Sequence, residues 1–221
     1  MEFEIHVLSD CSATLYFEQK ISAEINDKVL ATVAWIKVNP FQGLLEVVPA
    51  YASVTVYYDI LLVKQNDFSV PTAFAFVEKY LSQIPFNKLE KPIYLNDIIE
   101  IPVSYNGEDL EFVLEQLNLE RKELIELHSA PVYRVYMMGF LPGFAYLGGM
   151  NKVLALPRKT KPLLNVREGS VGIAGLQTGI YPVESPGGWQ LIGQTEIQLF
   201  DLNTPKLSLL NPGDRVKFVS V

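Results

Sequence analysis

The 221-residue chain has one cysteine, Cys11, and two histidines, His6 and His128. With a single thiol no intramolecular disulfide can form, and no thiolate cluster can hold zinc or an iron–sulfur centre. A lone cysteine of this kind is expected to be a small buried side chain. The two histidines fall in different halves of the sequence, so a histidine-rich metal site is not expected. Although 49% of the residues are hydrophobic, no stretch approaches the roughly 20 unbroken apolar residues of a membrane-spanning helix, and no membrane partner is expected. Positive charge is scarce, with 18 Lys and Arg against 25 Asp and Glu and a net charge of −7. Nucleic acid is therefore not an expected partner, because backbone phosphates call for clustered Lys and Arg. Three catalytic or nucleotide motifs are also missing. There is no G-x-S-x-G elbow, since the residue two before Ser170 is Glu168, and there is neither a G-x-x-x-x-G-K-[ST] loop nor a G-x-G-x-x-G turn. Any nucleotide would have to bind through another geometry. The first residues, Met1-Glu2-Phe3-Glu4-Ile5-His6, are acidic and alternating rather than basic then apolar, so the chain reads as mature and cytoplasmic.

Glycine is present but unevenly spread. Gly43 is the only one before Gly107, whereas eleven of the fourteen lie between Gly139 and Gly193. Two architectures are expected, a domain at 1–88 and another at 93–221, joined by the proline-bounded stretch at 84–92. In the first, a strand is expected from Phe3 to Phe17, and Ile21, Ile25, Val29, Val33 and Ile36 then recur at helical spacing. Strands follow at 44–48 and 53–58, with Val54, Val56 and Tyr58 sharing a face, and then a helix led by Ser69 and Pro71 that presents Phe74, Val77 and Leu81. Strand, helix, strands, helix is an α+β pattern of the ferredoxin-like kind. In the second, a strand at 98–105 and helices after Gly107 and over 120–128 precede short runs at 132–138, 170–174, 189–192, 197–200 and 215–219. Broken by Gly and Pro, these runs predict a barrel or sandwich.

Between Gly139 and Gly193 there are two acids, Glu168 and Glu184, against five bases, Lys152, Arg158, Lys159, Lys161 and Arg167. A basic, glycine-rich segment on an acidic chain suits an anionic ligand, because guanidinium forks grip carboxylate or phosphate and glycines admit backbone amides. The three lysines read as solvated loop residues, and Arg158 and Arg167 as substrate-binding candidates. The densest polar and aromatic cluster, at 177–190, adds Gln177, Thr178, Tyr181 and Gln190 as groove residues beside Trp189. Two readings stand for Glu184, a general base or a turn carboxylate capping amides. Two also stand for His128, a structural histidine whose cation the helix C-terminus favours or a general acid and base of neutral pKa.

The runs Leu127-His128-Ser129-Ala130-Pro131, Tyr133-Arg134-Val135-Tyr136, Gly139-Phe140-Leu141-Pro142-Gly143-Phe144-Ala145-Tyr146-Leu147-Gly148-Gly149, and 169–175 through 189–193 resemble the allophanate hydrolase subunit 1 family. That family includes 5-oxoprolinase B subunits and KipI-type kinase inhibitors. Val47-Val48-Pro49-Ala50-Tyr51 is similar to its VVPGY, with Ala50 in place of glycine. The resemblance implies a ferredoxin-like N-terminal domain and a cyclophilin-like, carboxyltransferase-type barrel as the C-terminal domain. It implies work as the B-type subunit of an ATP-dependent 5-oxoprolinase that cleaves 5-oxoproline to glutamate together with a homologous C subunit and an A subunit, with ATP, and Mg beside it, bound by the assembly. It equally implies the alternative of an inhibitor bound to a sensor histidine kinase. His128, Arg158, Arg167, Gln177 and Glu184 are expected to converge on one groove of the barrel, with His128 and Glu184 as catalytic candidates, and Thr178, Tyr181 and Gln190 are expected to contact the substrate.

Overall fold

The computed structural model describes residues 3–66, 69–89 and 98–221. The chain divides into two compact units, Met1–Ile93 and Tyr94–Val221, each with its own apolar core. No helix among the described residues is long and apolar enough to cross a membrane.

The first unit opens with a hairpin of β1 (Glu4–Ser9) and β2 (Ser12–Tyr16), not with one strand from Phe3 to Phe17. The polar Ser9-Asp10-Cys11-Ser12 segment makes the turn, closed by the Ser9 and Ser12 hydroxyls 2.6 Å apart. Cys11 sits at that turn and is exposed, contrary to the expectation of a buried thiol. Helix α1 (Ala23–Val38) begins after Ser22, whose side chain accepts from the Ile25 amide at 3.1 Å. Ile21 therefore precedes the helix and is exposed, while Ile25, Val29, Val33 and Ile36 form the buried stripe. Strands β3 (Leu44–Pro49) and β4 (Ser53–Tyr58) follow, then α2 (Ile60–Asn66), which hydropathy did not announce, and α3 (Ala73–Ser82). The α3 cap is Thr72, accepting from the Ala75 amide at 3.0 Å, rather than Ser69 or Pro71.

Val54, Val56 and Tyr58 alternate onto the inner face and are fully buried. The sheet order is β1-β2-β4-β3, antiparallel throughout. Strand β4 thus lies between β2 and β3, which α1 connects, a split βαβ arrangement. The chain order ββαββαα departs from βαββαβ because the outer strand beside β2 comes before it in sequence. Of the expected linker, residues 84–89 belong to the first unit: Ile84 is buried and Phe86 packs against Phe3 and Phe17 at ring separations of 4.8 and 5.9 Å. The rest of the expected linker, and the expected start of the second domain at 93, fall outside the described residues.

The second unit is a nearly closed barrel of mixed strands. Its strands are β5 (Ile99–Val103), β6 (Tyr133–Met138), β7 (Ala145–Gly148), β9 (Ser170–Ala174), β10 (Gln177–Ile180), β12 (Gln190–Gln194) and β13 (Arg215–Ser220), in the order β12-β9-β10-β7-β6-β13-β5. Only β5 and β13 run parallel. Ser104, just beyond β5, exchanges two 2.9 Å backbone hydrogen bonds with Gln194 at the end of β12, which brings the two edges of the sheet together. Helices α4 (Leu110–Leu117) and α5 (Arg121–Ser129) bury Leu110, Val113 and Leu124 in the same core. Gly107 lets the chain entering α4 lie against β12, because a Cβ there would stand 2.3 Å from the Leu191 carbonyl oxygen. A two-stranded ribbon of β8 (Leu163–Val166) and β11 (Ser185–Gly187) stands beside the barrel. The run at 197–200 does not form a strand; only Phe200 makes an isolated bridge, to Ser208. The polar cluster at 177–190, in contrast, supplies β10 and β11, so it is part of the framework rather than a loop.

Candidate functional site

A groove of about 240 Å³ opens on the second unit, lined by Phe140, Phe144, Tyr146, Arg158, Pro162, Tyr181, Pro186, Gly187, Gly188 and Trp189. Its floor is a buried aromatic cluster in which Phe144 meets Tyr181 at 5.4 Å and Trp189 at 5.5 Å between ring centroids, both edge to face. Phe140 stands at the rim, 60% exposed, with φ at +71°. The Leu141 amide donates to the Gly139 carbonyl across it at 2.9 Å. A three-residue turn at that positive φ is the rarer, strained γ-turn, and for a bulky residue it costs on the order of 1–3 kcal/mol.

Arg158 is the charged residue of the lining, and its neighbours in sequence tie it down on both sides. The Gln190 side-chain amide donates to the Pro157 carbonyl at 3.1 Å, and the Lys159 amide donates to the Gly188 carbonyl at 2.7 Å. The Lys159 ammonium pairs with Asp109, both side chains only 15% exposed, and the other oxygen of Asp109 accepts from the Leu191 amide at 2.7 Å. Lys159 is therefore a half-buried strut, not the solvated loop lysine that its sequence context suggests. Tyr181 is 1% exposed. Burial raises its hydroxyl pKa, against the lowering effects of the hydrogen bond from the Trp189 amide and of the Arg158 charge. Since that hydroxyl accepts from Trp189, its own proton remains available to donate.

Of the five residues expected to converge on one groove, only Arg158 is in the lining. Arg158 and Tyr181 line the groove, and Gln190 buttresses it from behind. His128 and Thr178 lie inside the barrel, fully buried and bonded to each other. Around the imidazole, Tyr105 Oη approaches Nδ1 at 2.7 Å, Thr178 Oγ1 approaches Nε2 at 2.9 Å, and Thr178 Oγ1 donates to the Gly172 carbonyl at 3.0 Å. Because the threonine proton is spent on Gly172, Nε2 carries the imidazole hydrogen and the Tyr105 hydroxyl donates to Nδ1. The ring stacks on Phe218 at 4.5 Å. Burial lowers the His128 pKa to about 3, the reverse of the cation that a helix C-terminus would favour, because desolvation outweighs the dipole. Arg167 and Glu184 are both exposed, one step beyond the Val166–Ser185 pair of the β8–β11 ribbon, and neither lines the groove. Gln177 begins β10 opposite Gly148 of β7 and Ala174 of β9.

Several groove residues had no signal of their own in the sequence. Phe140, Phe144 and Tyr146 stand in the Gly139–Gly149 run that carries the family resemblance, but nothing in their spacing marks them as groove walls. Asp109 lies fifty residues from its partner, and only the fold joins them.

Residues 3–210 match the family described as carboxyltransferase domain, subdomain C and D. The chain is 41% identical to the 5-oxoprolinase B subunit of Bacillus subtilis (strain 168) over 225 residues, covering 100% of this chain and 94% of that one. It is 52% identical to the 5-oxoprolinase B subunit of Haemophilus influenzae over 124 residues, 55% of this chain and 58% of that protein. The crystal structure of TTHA0988 superposes with a TM-score of 0.82 at 35% identity, covering 99% of this chain and 41% of that one.

Proposed function

From its membership of the carboxyltransferase-domain family of subdomains C and D, we propose that this chain is the B-type component of an ATP-dependent 5-oxoprolinase that opens 5-oxoproline to glutamate. The observation that carries this reading is the 41% identity, spanning the whole chain, to a protein named as the B component of 5-oxoprolinase. The second unit would then be the cyclophilin-like, carboxyltransferase-type barrel, and the first a rearranged ferredoxin-like domain.

The reading includes partners, a homologous C subunit and an A subunit. TTHA0988 supports it, since this chain spans only 41% of that chain; what stands beside the shared module there would be a separate subunit here. The chemistry of the groove points the same way. Its lining offers one guanidinium, two phenols and aromatic walls, with no nucleophile–base pair and no carboxylate to hold a metal. Mg-ATP does not fit such a lining, and ATP is assigned to the assembly. His128, fully buried and neutral, holds the barrel together in this reading and leaves proton transfer to groups brought by the partners. A cytoplasmic location follows from the same reading. The full-length match to an enzyme component favours it over the kinase-inhibitor alternative.

The test is co-expression with candidate C and A subunits, co-purification, and an assay of ATP-dependent glutamate release from 5-oxoproline. A stable complex with turnover supports the reading. A complex that assembles and hydrolyses no 5-oxoproline refutes it.

A further inference from the structure

We propose that the aromatic groove of the second unit binds a small ring-shaped carboxylate, with Arg158 as the anchor for its anionic group and the Tyr181 hydroxyl as donor to a ring carbonyl. This rests on the functional reading above for the choice of a lactam carboxylate such as 5-oxoproline.

The first ground is charge. A chain of net charge −7 keeps one guanidinium in a lining that includes no carboxylate, and Arg158 is exposed with no acid partner among the described residues. A fork left open beside low-dielectric aromatic walls attracts an anion more strongly than a solvated surface arginine does. Preorganisation is the second ground. Pro157 and Lys159, flanking Arg158, are fixed by Gln190, by the Gly188 carbonyl and by the half-buried Lys159–Asp109 pair. Less entropy is then lost when the guanidinium closes on a ligand. Third, the groove above the Trp189, Phe144 and Tyr181 floor is walled by aromatic rings and prolines, an apolar surface suited to the face of a compact ring. The carboxylate and carbonyl of such a ring would take up the guanidinium and the Tyr181 phenolic proton. Last, Phe140 is held at the rim in a strained γ-turn. Such strain persists where surrounding structure enforces it, and here it keeps an aromatic ring over the mouth of the groove.

Trp189 makes the test direct, since the only other tryptophan is Trp35, in the first unit. In a Trp35→Phe background, emission from Trp189 is titrated with 5-oxoproline, with 2-pyrrolidinone, which lacks the carboxylate, and with inorganic phosphate, up to about 10 mM, the weak end of specific binding. The expected result is a saturable change with 5-oxoproline and binding weaker by roughly tenfold or more with 2-pyrrolidinone and with phosphate. Arg158→Gln, on an exposed residue, should weaken 5-oxoproline binding by a similar factor. Lys152→Gln, an equal loss of charge outside the groove, should not. Saturation that is indifferent to Arg158→Gln, or absence of any saturable change, overturns the proposal. The same variants in the assembled complex separate the two readings. Turnover with an unchanged KM in Arg158→Gln would refute the groove assignment and leave the activity standing, whereas specific binding in an inactive complex would refute the activity and leave the groove.

Discussion

Replacing His128 tests whether the barrel is built around a neutral imidazole. Folded, the ring is wholly buried with a pKa near 3; unfolded, it regains an ordinary value of about 6.5. Between those values the unfolded chain binds one more proton than the folded one, so the contribution is complete above about pH 6.5 and is lost as the pH falls. The loss approaches 1.4 kcal/mol per pH unit, or roughly 3 kcal/mol by pH 4.5. His128→Gln removes the titrating group. It also strips the Tyr105 hydroxyl of its 2.7 Å acceptor and the Phe218 ring of its stacked partner. At pH 7.5 that should cost about 2–4 kcal/mol, from one unsatisfied buried hydroxyl and lost packing. Urea unfolding followed by Trp189 emission in the Trp35→Phe background reads both effects. The wild type should lose stability from pH 6.5 to 4.5 by roughly 3 kcal/mol more than the variant does. Equal acid sensitivity in the two proteins would refute the neutral-imidazole account, since every other titrating group is shared.

Gly143→Ala should destabilise the second unit by about 1–3 kcal/mol, because the residue has φ of +82° and a Cβ there would lie 2.7 Å from Phe200 Cβ; a thermal midpoint equal to wild type would contradict this. Asp109→Ala should cost about 2–4 kcal/mol by stranding the Lys159 ammonium and the Leu191 amide, measured by urea denaturation, and should weaken ligand binding in the groove along with it. The purified chain by itself should show no ATP-coupled turnover of 5-oxoproline, checked by glutamate release after rigorous removal of co-purifying subunits. Detectable turnover by the chain alone would contradict the shared-site reading.

Those parts of the structure that depend on local order could be read in advance. Helix α1 and its stripe, the shared face of Val54, Val56 and Tyr58, and strands β9 and β13 follow from periodicity, which is a property of neighbours in sequence. The 177–190 cluster marked the groove region through its density of polar and aromatic residues, of which Tyr181 and Trp189 line it. What could not be read depends on who meets whom. His128 ends a helix in sequence, which favours a cation, yet the fold buries it against Thr178 and Phe218 and makes it neutral. Lys159 looks like a loop lysine until Asp109 arrives from fifty residues away. Glu184 and Arg167 have the chemistry of a site, but the ribbon turns them to solvent. Gln177 and Thr178 read as groove polars because a strand only four residues long gives too little alternation to reveal itself.

The parallel pairing of β5 with β13 has a consequence for synthesis. These are the first and last strands of the second unit, and Ile99 through Val103 lie against Val216 through Ser220. A nascent chain that has made β5 must hold an unpaired, half-apolar strand until β13 leaves the ribosome, and the barrel cannot close before then. Contacts so distant in sequence fold slowly and leave strand edges open in the meantime. The second unit is therefore the one expected to need chaperones or an early-arriving partner, and stalled or truncated chains lacking β13 are expected to aggregate rather than persist as smaller folded proteins.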